Sequence, residues 1–238
     1  MRQPYRPPTV IPLPTPDTDP SKTLRRWLYS GISLALLALI SYLVWETRRP
    51  RLIHYIVNDQ SASAQPLSAQ RQQHCQASLE HYRSGDRRIE IAYADRPETI
   101  HDQTISNTFL FNPCQTAIAP LDIGNQDGTS LIRALEQIAQ QVSQTRLQTP
   151  DQRVAVTLTL QHAEIVGDQP ALDASGYETL RQSITQITGD NQGTIAIIGP
   201  GGALQNDLQR ELQNQPNLRI FPFAATESCV TWALTTPR

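Results

Sequence analysis

Leu52-Ile53-His54-Tyr55-Ile56-Val57-Asn58-Asp59-Gln60-Ser61-Ala62-Ser63 decides how this 238-residue chain folds. The apolar run Ile53-His54-Tyr55-Ile56-Val57 suits a buried strand. Directly after it, one acid and two hydroxyls stand two residues apart, at Asp59, Ser61 and Ser63. Such hard oxygens at a strand end suit Mg²⁺ or Mn²⁺ better than a softer metal. Short polar residues are also ordinary turn and helix-cap formers, so the same pattern has a purely structural reading.

Strand and helix signals alternate beyond this point. Leu67–Arg83 reads as a surface helix, Arg88–Ala94 (RIEIAYA) as a strand and Thr108–Phe111 as a short strand. Ser130–Val142 carries apolar residues at helical spacing behind a Thr129-Ser130 start. Strands follow at Val154–Leu160 and Thr194–Ile198, helices at Tyr177–Ile187 and Leu204–Gln213, and a last strand at Leu218–Phe223. The segment Cys229–Leu234 suits a closing helix or strand. This order predicts an α/β domain: a Rossmann-like, open, mostly parallel sheet with helices on both faces. Ligands of such sheets sit beyond the carboxyl ends of strands, near the point where strand order reverses. Asp59 is at one such end and the loop after Ile198 is at another.

A second segment, Asp127-Gly128-Thr129-Ser130, delivers a threonine from a glycine turn onto the start of a helix. With the D-x-S-x-S of Asp59–Ser63, the sequence resembles the von Willebrand factor A (vWA) domain family over roughly residues 52–223. The resemblance implies a metal-ion-dependent adhesion site. Ser61 and Ser63 would supply hydroxyls to the ion, Asp59 would bind through water, and Thr129 would act directly or through water. It also implies a protein partner that offers a carboxylate to Mg²⁺ or Mn²⁺, with no bond chemistry. The site is degenerate: Gln161-His162-Ala163-Glu164 stands where the family carries a third acid, and neither His162 nor Glu164 fits the pattern.

Upstream, residues 1–26 are rich in proline and read as a disordered tail. Residues 27–46 begin with the uncharged stretch Trp27–Trp45, bordered by aromatic rings and by Lys22, Arg25, Arg26, Arg48, Arg49 and Arg51. This pattern predicts a single transmembrane helix, with the vWA-like α/β domain occupying 52–238. A cleaved signal peptide is the weaker reading, because the run is long, starts late and lacks a small-residue cleavage site. Arg2 and Arg6 favour a cytoplasmic N-terminus, with the globular domain across the membrane.

The formal net charge of -2 gives no reason to expect a nucleic-acid partner. No G-x-S-x-G elbow or Walker-type loop is present, and Gly199-Pro200-Gly201-Gly202 only partly matches a dinucleotide turn. A metal-dependent hydrolase would need further acids, such as Asp168 or Asp173, and a tethered solute-sensing domain is the other alternative. Cys75, Cys114 and Cys229 are too dispersed for a zinc module. They leave open one disulfide of any pairing or three buried thiols.

Overall fold

Strand β1 (Leu52–Asp59) is buried along all 8 residues in the computed structural model. The structure describes residues 20–48, 50–61, 68–94, 96–106, 114, 130–160, 172–189, 192–200 and 202–236. β1 pairs in parallel with β2 (Arg87–Tyr93) on one side and β4 (Arg153–Thr159) on the other. β4 continues in parallel to β5 (Gly193–Ile198), and β5 to β6 (Leu218–Phe221). β3 (Pro97–Thr104) closes the far edge antiparallel to β2, giving the order β3-β2-β1-β4-β5-β6. The chain builds outward from β1 through β2 and β3, then crosses back to β4. The strand order therefore reverses between β1 and β4.

β1 is central because its two faces meet two helical layers. Ile53, Tyr55 and Val57 pack with α3 (Leu131–Gln148), α4 (Ala174–Thr188) and α5 (Gly202–Leu212) in the main apolar core. α3 buries Leu131, Ala134, Leu135, Ile138, Ala139 and Val142, which recur at the three- and four-residue spacing of one helix face. Its first turn is capped by Ser130, whose side chain accepts the Arg133 N–H. Burying each Leu or Ile here contributes about 1.5–3 kcal/mol. The opposite face is covered by α2 (Ser68–Leu79) and α6 (Thr226–Thr235). Its apolar contacts are fewer: Leu52 and Ala155 meet Val230 and Leu234, and Ala196 and Ile198 meet Cys229 and Ala233.

The sequence signals placed most of these elements within a few residues of their observed ends. The strand expected at Thr108–Phe111 lies outside the described residues. β3 was not anticipated, because Pro97-Glu98-Thr99-Ile100-His101-Asp102-Gln103-Thr104 has no alternating apolar face. It forms by hairpin proximity to β2, with Arg87 Nε donating to Asp102 at 2.7 Å across the pair. Its exposed charges and the proline at its start suit an unpaired sheet edge.

The chain divides into two compact units, Met1–Arg49 and Pro50–Arg238. The first contains α1 (Pro20–Arg48), with proline at the first helical position. The expected transmembrane span is corrected here. Among the described residues, no helix is long and apolar enough to cross a membrane. Ser30, Gly31, Ser33 and Ser41 interrupt the apolar stretch of α1. The membrane partner, the single-pass localisation and the anchored topology fall with that span. The expected proline-rich tail lies largely outside the described residues.

The structure also chooses among the cysteines. Cys75 on α2 is bonded to Cys114, and Cys229 is a buried free thiol. The bridge ties α2 to a point 39 residues further along the chain. Cross-links closing loops of this size typically stabilise by about 2–4 kcal/mol. Cys114→Ser is therefore expected to lower the unfolding free energy by about that amount. Thiol titration of the denatured wild type should find only Cys229 before reduction. All three thiols titrating without reductant would contradict the pairing.

Candidate functional site

The carboxyl ends of β1, β2 and β4 meet where the strand order reverses. Asp59 is the last residue of β1 and is fully buried. Its Oδ1 accepts the Ser61 N–H at 2.9 Å, so the side chain shapes the turn that leaves the strand. Its backbone oxygen accepts from Arg71 Nη1 of α2 at 3.4 Å. Gln60 N–H donates to the Tyr93 carbonyl at 2.8 Å, tying this turn to the end of β2. On the other side of β2, Ser130 N–H donates to the Ala94 carbonyl at 2.7 Å and sets the start of α3 at the same sheet edge.

Of the four expected ligands, Asp59 and Ser61 are described, and both are buried at this edge. Ser63 and Thr129 lie outside the described residues, as do His162, Glu164 and Asp168. Asp173 caps α4 instead of joining a site: its Oδ1 accepts from Gly176 N–H at 2.8 Å, and this bond holds the carboxyl below its ordinary pKa. The turn after β5 is closed as well. Gly199 has φ +90°, and a Cβ there would lie 2.0 Å from the Phe223 ring, so only glycine fits.

Beneath α2 lies a polar layer that the sequence reading did not assemble. Asn58 Nδ2 donates to Glu90 Oε1 at 2.9 Å, and Arg88 Nη2 donates to Glu90 Oε2 at 2.7 Å. Thr159 Oγ1 donates to Asn58 Oδ1 at 3.3 Å, crossing from β4 to β1. Towards the other end of the strands, His54 Nδ1 meets Tyr82 Oη at 2.6 Å, and His54 Nε2 meets Thr157 Oγ1 at 2.7 Å. The same Thr157 oxygen meets His74 Nε2 at 2.7 Å. One hydroxyl thus bridges two buried imidazoles. The signal for this layer was period two: His54 and Asn58 in β1 and Arg88 and Glu90 in β2 alternate with apolar residues and share one face. Burial on that face comes from α2, whose cover was not legible.

Burial drives the pKa values of this layer. His54 is lowered well below its ordinary value by burial first, then by His74, Arg88 and His81. His74 is lowered to about 3 by burial and by Arg88. Tyr82 is raised by burial. Both imidazoles are therefore neutral in the folded protein at neutral pH.

The expected metal site is also corrected. Among the described residues, no group of three His, Cys, Asp or Glu side chains is arranged to hold a metal ion. The described donor set at the β1 end is one carboxylate and one hydroxyl, with a guanidinium packed on the Asp59 carbonyl. A hard cation needs more oxygen charge than this to offset its dehydration. A defined adhesion-type metal site, and the metal-dependent function expected from it, are not supported.

No family model and no curated protein matches the chain. Solved structures do. Proximal thread matrix protein 1 of the mussel byssus superposes with a TM-score of 0.53 at 11% identity, over 78% of this chain and 47% of that one. A von Willebrand factor type A protein from Catenulispora acidiphila gives 0.50 at 14% identity, over 78% and 42%. The vWF domain of a type V pili tip protein from Porphyromonas gingivalis gives 0.54 at 13% identity, over 79% and 95%. The chain spans less than half the length of the first two. These likenesses show a vWA-like fold.

Acid stability tests the polar layer. A histidine whose folded pKa is depressed stabilises the native state above its unfolded pKa, and this stability is lost as pH falls, because the unfolded chain binds more protons. The window opens near the unfolded value of about 6.5 and extends down towards the folded values. Between about pH 6.5 and pH 5 each buried histidine should cost up to roughly tenfold in the folding equilibrium per pH unit. Denaturant unfolding of wild type and His74→Gln across this range should give a steep slope for the first and a shallower one for the second. Equal, flat profiles would contradict two neutral buried imidazoles.

Proposed function

We propose that residues 50–238 form a vWA-like protein-interaction module that receives its partner at the carboxyl edge of the sheet. The observation that supports this most is the convergence at the carboxyl edge beside the β1/β4 reversal, where the Asp59–Ser61 turn, the end of β2 and the start of α3 come together. In open α/β sheets this is where ligands dock. The expected site residues Asp59, Ser61, Ser63 and Thr129 are proposed to belong to this edge: Ser63 follows the Asp59 turn, and Thr129 precedes the Ser130 cap. The fold shared with a byssus thread-matrix protein and a pilus-tip vWF domain is consistent with a binding role, though a shared fold by itself assigns none.

Photo-crosslinking tests the location without assuming the partner. A photoreactive residue at Gln60 or Thr129 in the full chain should give a discrete adduct in cells. The same residue at Gln152 or Gln192, at the amino edge of the sheet, should not. Adducts from the amino edge alone would place the interface elsewhere, and no adduct from any position would count against a stable protein partner.

A further inference from the structure

The carboxyl edge combines a fold expected to use a divalent ion with a set of side chains that does not suit one. Arg71 is the reason. It lies on the first turn of α2, is 3% exposed, and reaches the end of β1, where Nη1 donates to the Asp59 carbonyl at 3.4 Å. Burial, the largest effect, lowers the Arg71 pKa, and the Asp59 and Glu90 charges partly offset it. Glu90 is itself paired with Arg88 at 2.7 Å, both side chains being almost completely buried.

Among the described residues, this end of the layer buries two carboxyl side chains, Asp59 and Glu90, and two guanidinium groups, Arg71 and Arg88. A divalent cation added beside Asp59 would bring two further positive charges next to the guanidinium groups already there. Buried positive charge left without a counter-charge is strongly destabilising. The described carboxylate and hydroxyl at the strand end offset neither that nor the ion's dehydration. The guanidinium instead places a permanent positive charge, covalently part of the fold, beside the end of β1.

We propose that Arg71 is the resident cation of this edge: it balances the Asp59 carboxylate, so that the module engages its partner without a divalent ion. The proposal rests on the docking edge proposed above, but its test does not use a partner. The residue was not singled out in the sequence because Ser68-Ala69-Gln70-Arg71-Gln72-Gln73 reads as a solvated helix face. Only the packing of α2 onto the end of β1 gives Arg71 its place.

Thermal unfolding of the full chain with EDTA or with millimolar Mn²⁺ tests it. Wild type should melt at the same temperature in both. Arg71→Gln should melt several degrees lower in EDTA, because the end of β1 loses both a buried positive charge and the donor to the Asp59 carbonyl. Mn²⁺ should restore part of that loss, and the double variant Arg71→Gln/Asp59→Asn should show no Mn²⁺ effect. Arg71→Lys, which keeps the charge, should remain insensitive to the ion. A wild-type melting temperature that rises with Mn²⁺ and loses the rise in Asp59→Asn would overturn the proposal, as would an Arg71→Gln chain as stable as wild type. If Arg71→Gln does not fold, electron paramagnetic resonance of Mn²⁺ with wild type decides. Entirely free Mn²⁺ agrees with the proposal, and bound Mn²⁺ released by Asp59→Asn contradicts it. These outcomes are independent of cross-linking, so the docking edge and the resident cation can fail separately.

Discussion

β1 is buried on both faces, and its two faces are satisfied by different physics. Ile53, Tyr55 and Val57 enter an apolar core with α3, α4 and α5, where burial is additive and tolerant of shape. His54 and Asn58 face the other way, into hydrogen bonds with Tyr82, Thr157, Glu90 and Thr159. Those groups have no water to fall back on, so each must find a specific partner. The register of β1 against β2 and β4 is what supplies the partners: Asn58 pairs with Ala92 and Thr159, and His54 with Arg88 and Ala155. A one-residue slip would turn every side chain to the wrong face. Both faces therefore disfavour any other register.

The same layer reaches the candidate site. The Glu90 carboxylate accepts from both Arg88 and Asn58 under the sheet, and Arg71 extends the charge pattern from Glu90 to the end of β1. α2 carries Arg71 and His74 within a single turn of each other, and its Cys75 is held by the disulfide to Cys114. One short helix thus closes the polar face, balances the strand end and anchors a distant part of the chain. Its own sequence is mostly Gln, Ser and Ala, with little apolar surface to hold it in place. The bridge and the buried hydrogen bonds supply that attachment.

Much of the frame was legible in the sequence because it depends on local signals. The β-branched run Val154–Thr159, the apolar Thr194–Ile198 and the Ser130 cap each specify their element without reference to the rest. Three features were not legible. β3 has no apolar period and pairs only because β2 is next to it. The buried rank of Arg88 and Glu90 reads locally as an exposed strand face, since alternation cannot tell water from a covering helix. The role of Arg71 depends on a contact between α2 and the end of β1, which no spacing encodes. The apolar run in α1 suggested a membrane span on composition, but among the described residues no helix is long and apolar enough for one. The D-x-S-x-S pattern led to the vWA-like fold, while the described residues do not complete the defined metal site it implied.

The polar face of the sheet is proposed to be balanced from within, up to and including the end of β1. A crystal structure of the chain grown with Mn²⁺, with an anomalous difference map, tests this most directly. Expected are the Arg71 guanidinium against the Asp59 carbonyl, Glu90 between Arg88 and Asn58, and no anomalous peak at the carboxyl edge. A Mn²⁺ peak coordinated by Asp59 and Ser61, with Arg71 turned away, would contradict it.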